Sequence, residues 1–230
     1  MRKTLLIISL VTMVALNANA QPKGDRIGIK AGPTIDWASS GSTAAKGEGI
    51  GLGFGLGLVY DHYLSDGIFV SSGVNLNHLR MKYSFTDSRL VDDFLEEANM
   101  MVDRRLKATN IEIPLKAKFK MDVFDSFAAF VEAGCGLSFN CKDFAKDDFS
   151  FYWVSSEGKG FVDCTNQYRV LQFSMLFGLG AEYEINQKLS AFAQLTFDHA
   201  FSNAFISSLE KQTGSILRNN FIGIEVGIMH

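Results

Sequence analysis

The closing stretch Phe221-Ile222-Gly223-Ile224-Glu225-Val226-Gly227-Ile228-Met229-His230 decides the fold. Ile222, Ile224, Val226 and Ile228 fall on one side of a period-two pattern, and Gly223, Glu225 and Gly227 on the other. This alternation marks a β-strand with one greasy face. The opposite end of the chain carries an export signal: Arg2 and Lys3, the apolar run Leu5–Leu16, then the small-residue cleavage motif Ala18-Asn19-Ala20. The apolar run is shorter than the roughly 20 residues a membrane helix needs. Gln21 rather than a cysteine follows the cut, which argues against a lipid anchor. An exported chain with such strands reads as a closed barrel, the one β-structure that satisfies its backbone inside a bilayer.

The same period recurs upstream. Segments at Ile27–Trp37, Ile50–Tyr60, Ile111–Met121, Phe127–Phe139, Leu171–Tyr183 and Leu189–Phe197 repeat it, so that with the C-terminal one they present 41 positions on their apolar faces. None of those positions holds Asp, Glu, Lys or Arg, whereas the opposite faces are rich in them. A lysine or arginine facing lipid at the midplane costs roughly 2–4 kcal/mol, so the contrast identifies the lipid side. One further strand, from Val70 to Phe85, changes parity. Val70, Val74 and Leu76 are even, while Leu79, Met81, Tyr83 and Phe85 are odd. A bulge near Asn77–His78 would produce this, as would an upper half standing clear of the membrane.

Eight strands are thus expected in an all-β, antiparallel, up-and-down transmembrane barrel covering residues 21–230, after a cleaved signal peptide at 1–20. Connections after the second, fourth and sixth strands are short. Those after the first, third, fifth and seventh are long: Ala38–Gly49, Thr86–Ala108, Cys141–Gln167 and Ser202–Asn219. Short periplasmic turns and long extracellular loops follow that division. Trp37, Tyr60, Phe119 and Tyr183 sit near strand ends, where interfacial aromatics belong. Pro33 and Pro114 count against the assignment, since each removes a ladder donor; bulges or water above the membrane would accommodate them. A secreted soluble barrel with its apolar faces inward has the same periodicity. The glycines and paired charges of the polar faces suit a tight interior better.

Loss of Arg2 and Lys3 leaves 20 basic against 25 acidic residues, which excludes the basic surface that nucleic acid requires. The polar faces direct Glu112, Lys116, Lys118, Lys120, Glu132, Glu182 and Glu225 into the lumen. They form either a selective polar path or a paired core; eight strands leave just enough width for side chains to fill. From Arg89 to Leu106, apolar residues at helical spacing predict a short external helix that caps the rim or docks a partner. Cys135 falls on the lipid face. Cys141 and Cys164 bracket the third loop and are candidates for a disulfide, with free thiols as the alternative. No serine–histidine–acid pattern, metal-ligand spacing or phosphate loop is present, so no catalytic, cofactor or metal residue is assigned.

The chain resembles the PorT-like outer-membrane β-barrel family of the Bacteroidota. The likeness rests on Ile27-Gly28-Ile29-Lys30-Ala31-Gly32, Asn110-Ile111-Glu112-Ile113-Pro114-Leu115, Glu132-Ala133-Gly134 and Phe177-Gly178-Leu179-Gly180-Ala181-Glu182-Tyr183. It departs from the family's pattern at Gln194-Leu195, where an arginine–tyrosine pair is usual, and at His230, where an aromatic is usual. The resemblance implies integral residence in the outer membrane of a Gram-negative envelope and, for some relatives, a link to protein secretion. The expected partners are membrane lipid and an envelope or secretion-machinery protein, met by a monomer through loops bearing Phe144, Phe149, Phe151, Tyr152 and Trp153. A narrow conduit and a lipid-modifying enzyme are the competing functional readings.

Overall fold

Residues 24–41, 45–87, 100–151, 154–156, 158, 160–206 and 216–230 are described by a computed structural model. The signal segment and most of Arg89–Leu106 lie outside the described residues. Eight long strands carry the alternation: β1 (Arg26–Ser40), β2 (Ile50–Ser65), β3 (Ile68–Asp87), β4 (Met100–Phe124), β5 (Phe127–Phe151), β6 (Leu171–Asn186), β7 (Leu189–Ala200) and β8 (Leu217–Met229). Each pairs antiparallel with its sequence neighbour, and β8 returns to β1. Reciprocal backbone bonds between Ile27 and His230, 3.0 and 2.7 Å long, finish this closing seam. Short strands at Ala45–Gly47, Val154–Ser156 and Val162–Asp163 extend the rim. Among the described residues no helix is long and apolar enough to cross a membrane.

The wall faces outward with its oil. Leu52, Ile113, Leu115, Leu179, Ile224 and Val226 are all exposed, Leu52 to 67%. Along β4 the outward residues Ile111 to Met121 cover five steps of about 6.8 Å, and a tilt of about 40° makes the belt about 26 Å tall, the height of a membrane barrel's apolar band. Small residues inside make room for what the lumen holds. A Cβ on Gly57 would meet Asn75 Oδ1 at 2.3 Å, and one on Gly178 would meet Glu132 Cγ at 2.4 Å.

Both prolines sit in the wall without bulges, contrary to the accommodation expected. At Pro33 the β1–β8 ladder passes from Ala31 to Thr34, while Pro33 still pairs with Phe54 of β2. At Pro114 the β3–β4 ladder skips Gly73 and Val74, and Ser72 Oγ donates to the Pro114 carbonyl at 2.8 Å. The expected bulge at Asn77–His78 is also absent. β3 keeps one parity throughout, with Asn75, Asn77, Leu79, Met81, Tyr83 and Phe85 all buried inside the barrel. The interior itself changes from polar to apolar at that height, which is why the hydrophobic parity switches.

β3, β4 and β5 therefore continue well past the belt, turning much of the predicted second and third loops into wall. Met100–Leu106 is strand, not helix: Val102 and Leu106 point into the apolar interior while Asp103 and Arg105 point out. The residues between Met101 and Lys107 fit both periods, and pairing with β3 and β5 selects the strand.

Replacing Ile113 by lysine puts a charge on the lipid face and is expected to cost roughly 2–4 kcal/mol. Urea titration of protein refolded into lipid vesicles measures it, and Thr109→Lys, one rung above the belt, should cost much less.

Candidate functional site: a lumen filled in three layers

The lower lumen is an ion-pair layer. Lys116 pairs with Glu132, and Lys118 with Asp61 at 2.8 Å. Lys120 meets Glu182 at 3.1 Å, and Lys30 meets Glu225 at 2.8 Å. Arg26 bridges Glu182 and Asp61. Lys116–Glu132, Lys30–Glu225 and Arg26–Asp61 join inward residues of adjacent strands, as Arg26 and Asp61 are set opposite by the β1–β2 register. Lys118–Asp61, Lys120–Glu182 and Arg26–Glu182 instead reach across the bore. Further hydrogen bonds support some of these charges, while Asp61 Oδ1 and Glu182 Oε2 have no partner among the described residues. Glu225 accepts from Gln194 Nε2 at 2.5 Å and Thr196 Oγ1 at 2.8 Å. Lys118 also lies 4.2 Å above the Phe130 ring. Buried charges persist only when paired in this way.

All seven lumen residues named from the sequence face inward, and six of them belong to this layer. The seventh, Glu112, sits higher. It accepts from Asn75 Nδ2 at 2.9 Å and Asn77 Nδ2 at 3.3 Å, without a lysine or arginine in ion-pair contact among the described residues. Asp198 shares this middle layer and accepts from Ser174 Oγ at 3.1 Å. Asn219 donates to Gln172 at 3.0 Å. The space left among these groups is about 20 Å³, room for a single water.

Above lies an apolar plug. Leu79, Met81, Tyr83, Phe85, Val102 and Leu106 from the wall enclose Cys164, Tyr168 and Phe205 from two inserted loop segments. Tyr168 and Phe205 form an isolated β-bridge, and Phe205 packs edge-on against Tyr83 at 5.9 Å. Asn203 Oδ1 holds the second segment by accepting the Leu217 N–H at 2.9 Å. Arg104 ties the first to the wall. Its guanidinium makes two 2.6 Å bonds to Asp147 and donates to Gln167 at 2.6 Å and to the Tyr168 hydroxyl at 3.3 Å. Burial opposes the charge on Arg104, but Asp147 and the adjoining tyrosine hydroxyls outweigh it and hold the group protonated.

The plug residues were not among those named as candidate site residues, although the odd parity of Leu79–Phe85 was their signal. The proposed Cys141–Cys164 bridge is absent: both thiols are free. β5 does not end at Phe139, so Cys141 is part of the wall and faces outward at a register shift, whereas Cys164 is buried inside. Burial pushes the Cys164 thiol up to about 12, which removes thiolate reactivity at neutral pH. Cys135 is exposed on the lipid face, as its parity requires. Among the described residues His62 bonds Asp25 at 3.0 Å, His78 bonds Thr109 and His199 bonds Asn220, and no group of three or more metal-binding side chains forms.

Two perturbations probe these layers. Lys116→Met strands Glu132 in the lumen and should destabilise by roughly 3–5 kcal/mol, whereas adding Glu132→Leu should restore most of it, as read by urea titration. The second concerns Asp143, buried beside the plug, where desolvation raises the carboxyl to about 6 despite a bond from Asn140. The folded state then holds its proton to higher pH than the unfolded chain, so stability falls between about pH 4 and 6 and stays lower above. Asp143→Asn should gain roughly 1–3 kcal/mol at pH 7.5 and nothing at pH 4, checked by the temperature of heat-modifiable gel migration.

A depression of about 670 Å³ on the outer wall, lined by Ala31, Ala181, Ala191 and Ala193 among larger apolar residues, belongs to the lipid face. Comparison with solved structures returns outer-membrane barrels. Neisserial surface protein A aligns at 11% identity over 87% of this chain and 95% of that one, with a TM-score of 0.42. OprG of Pseudomonas aeruginosa aligns at 13% over 90% and 94%, TM-score 0.38. Ail of Yersinia pestis, solved in complex with the heparin analogue sucrose octasulfate, aligns at 13% over 90% and 99%, TM-score 0.36. No curated protein matches the sequence. The model of the outer membrane protein beta-barrel domain matches residues 17–210, and the chain belongs to that family, an integral protein of the outer membrane.

Proposed function

We propose that this protein is a non-conducting, non-enzymatic scaffold that presents its extended upper barrel to a partner in the cell envelope. The observation that carries the reading is the three-layer filling of the lumen. An eight-stranded wall already leaves only enough width for side chains, and here ion pairs, amide–carboxyl contacts and an apolar plug occupy that width in succession. What remains for function is the outside of the upper wall and its loops, where binding is normally carried on a rigid support.

The resemblance to PorT-like proteins favours one kind of partner, a component of an export machine. In that setting the protein acts as an accessory and docking platform rather than as the conduit. A lipid-modifying enzyme is disfavoured, because none of the described histidines bonds a hydroxyl nucleophile and an acid at once. His62 and the Tyr60 hydroxyl both bond Asp25 but not each other, His78 bonds Thr109 and His199 bonds Asn220.

Reconstitution into planar bilayers tests the proposal. The expected record is flat at voltages that open porins. Unit conductance steps of constant size from the purified protein would replace the scaffold with a channel. Tyr83→Ser combined with Phe205→Ser opens the plug but leaves both polar layers, so it too should stay closed.

A further inference from the structure

The exterior of β3, β4 and β5 changes character at one height. Its last oily rung is Leu76–Ile111–Phe139, three residues aligned across the strands. The next three outward rungs are His78–Thr109–Lys142, Arg80–Lys107–Phe144 and Lys82–Arg105–Lys146. Six cations therefore stand on three neighbouring strands, in three rungs directly above the belt. Strands lie about 4.8 Å apart and outward residues recur about every 6.8 Å, so the group covers a patch roughly 10 by 14 Å.

Little within the protein neutralises it. Asp148, on the rung above, accepts Arg105 at 2.9 Å and approaches Lys146 at 3.9 Å. Among the described residues no carboxylate lies within 4.0 Å of the charged nitrogens of Arg80, Lys82, Lys107 or Lys142, although Asp163 acts on Lys142 and Asp36 on Arg80 from farther away. Two of these ammoniums rest on aromatic faces, Lys107 at 3.8 Å over Phe161 and Lys142 at 4.7 Å over Phe144. The rings hold the charges in place without cancelling them. The opposite sector of the barrel is built differently at this height. There Trp37 stacks on Phe197 at 6.2 Å and Phe197 on His199 at 6.3 Å, an aromatic anchor of ordinary interfacial kind.

We propose that the β3–β5 band is a binding surface for the phosphate groups of outer-leaflet lipid headgroups. Position selects the ligand: the rungs adjoin the acyl belt, so the first anion they meet is a headgroup attached to a lipid. Spacing selects its valence, because a patch of this size lets two phosphates on one headgroup each engage two or more cations. The cations attract at about 1 kcal/mol each near an anionic surface, and aromatic support limits the side-chain freedom lost on binding.

Native mass spectrometry of the full-length protein released from detergent tests this, with bisphosphorylated lipid A, its dephosphorylated form, phosphatidylglycerol and inorganic phosphate as separate probes. Wild type should retain bisphosphorylated lipid A through the release step, retain the dephosphorylated lipid far less, and bind inorganic phosphate too weakly to displace the lipid at millimolar concentration. The fourfold variant Arg80→Gln, Lys82→Gln, Lys107→Gln, Lys142→Gln should lose at least about tenfold in bound lipid. Heat-modifiable migration verifies that it is folded, and Lys107→Gln alone serves if the fourfold variant is not. Lys188→Gln, which removes a charge from the β6–β7 turn at the other end of the barrel, should leave retention unchanged. Equal retention of the phosphate-free lipid, undiminished binding by the fourfold variant, or an equal loss in the control variant would overturn the proposal. Displacement by millimolar inorganic phosphate would reject a lipid headgroup as the source.

Discussion

Every peptide group of the wall that lies in hydrocarbon must find its partner on another strand, because lipid offers none. The β1–β8 seam is where that requirement is met, and much else descends from it. Closing eight strands on themselves sets a narrow diameter. A narrow bore brings inward side chains from opposite walls into contact, where lumen charges meet counter-charges, amides or hydroxyls. Glu182 illustrates the chain of causes. Its β6 carboxyl is reached by Arg26 from β1 and Lys120 from β4, strands that adjoin it only through the curvature of the closed wall. The prolines fit the same logic. Ladder loss at Pro33 and Pro114 is confined to one side of each strand, and the other side stays fully paired.

The inside–outside division was legible because it needs only parity. A barrel residue has two choices, and period two assigns them without knowledge of register. Lys116, Lys118 and Glu132 are therefore readable as lumen residues from spacing alone. Their partners are less readable. Lys116 with Glu132 follows from the tight β4–β5 turn, but Lys30 with Glu225 requires the stagger of the closing seam, which no local pattern encodes. Asp61 and Arg26 escaped notice for a related reason: they lie at strand ends, past the run of alternating residues that draws attention.

The plug was harder still, because it obeys the opposite polarity. Above the belt water lies outside, so the apolar residues belong inside, and Leu79 through Phe85 take the lumen positions that Asn75 and Asn77 hold below. Read with a single rule for the whole strand, that change looks like a bulge. Read with two solvents, it marks where one gives way to the other. The helix expected near Leu106 failed on the same ground: the extension past the membrane is strand, and paired neighbours decide between periods that a short segment fits equally well.

The reversal happens on both faces of the wall at nearly one level, and this coupling limits how the barrel can sit. Sliding the protein inward by one rung would draw Lys142 and Thr109 into hydrocarbon; sliding it outward would expose Leu76, Ile111 and Phe139 to water. Either displacement is opposed at the surface, while the lumen is indifferent to it because its layers move with the wall. Vertical position is thus set from outside by the oily rungs and the cations above them. Lumen packing sets a different quantity, the rigidity with which that outer surface is held. A filled bore fixes β3, β4 and β5 beyond the membrane, where long unpaired edges would otherwise fray. On that argument the plug and the exterior are two parts of one construction, with Arg104 bonding to Asp147 and Tyr168 inside while its neighbour Arg105 stands on the cationic band outside.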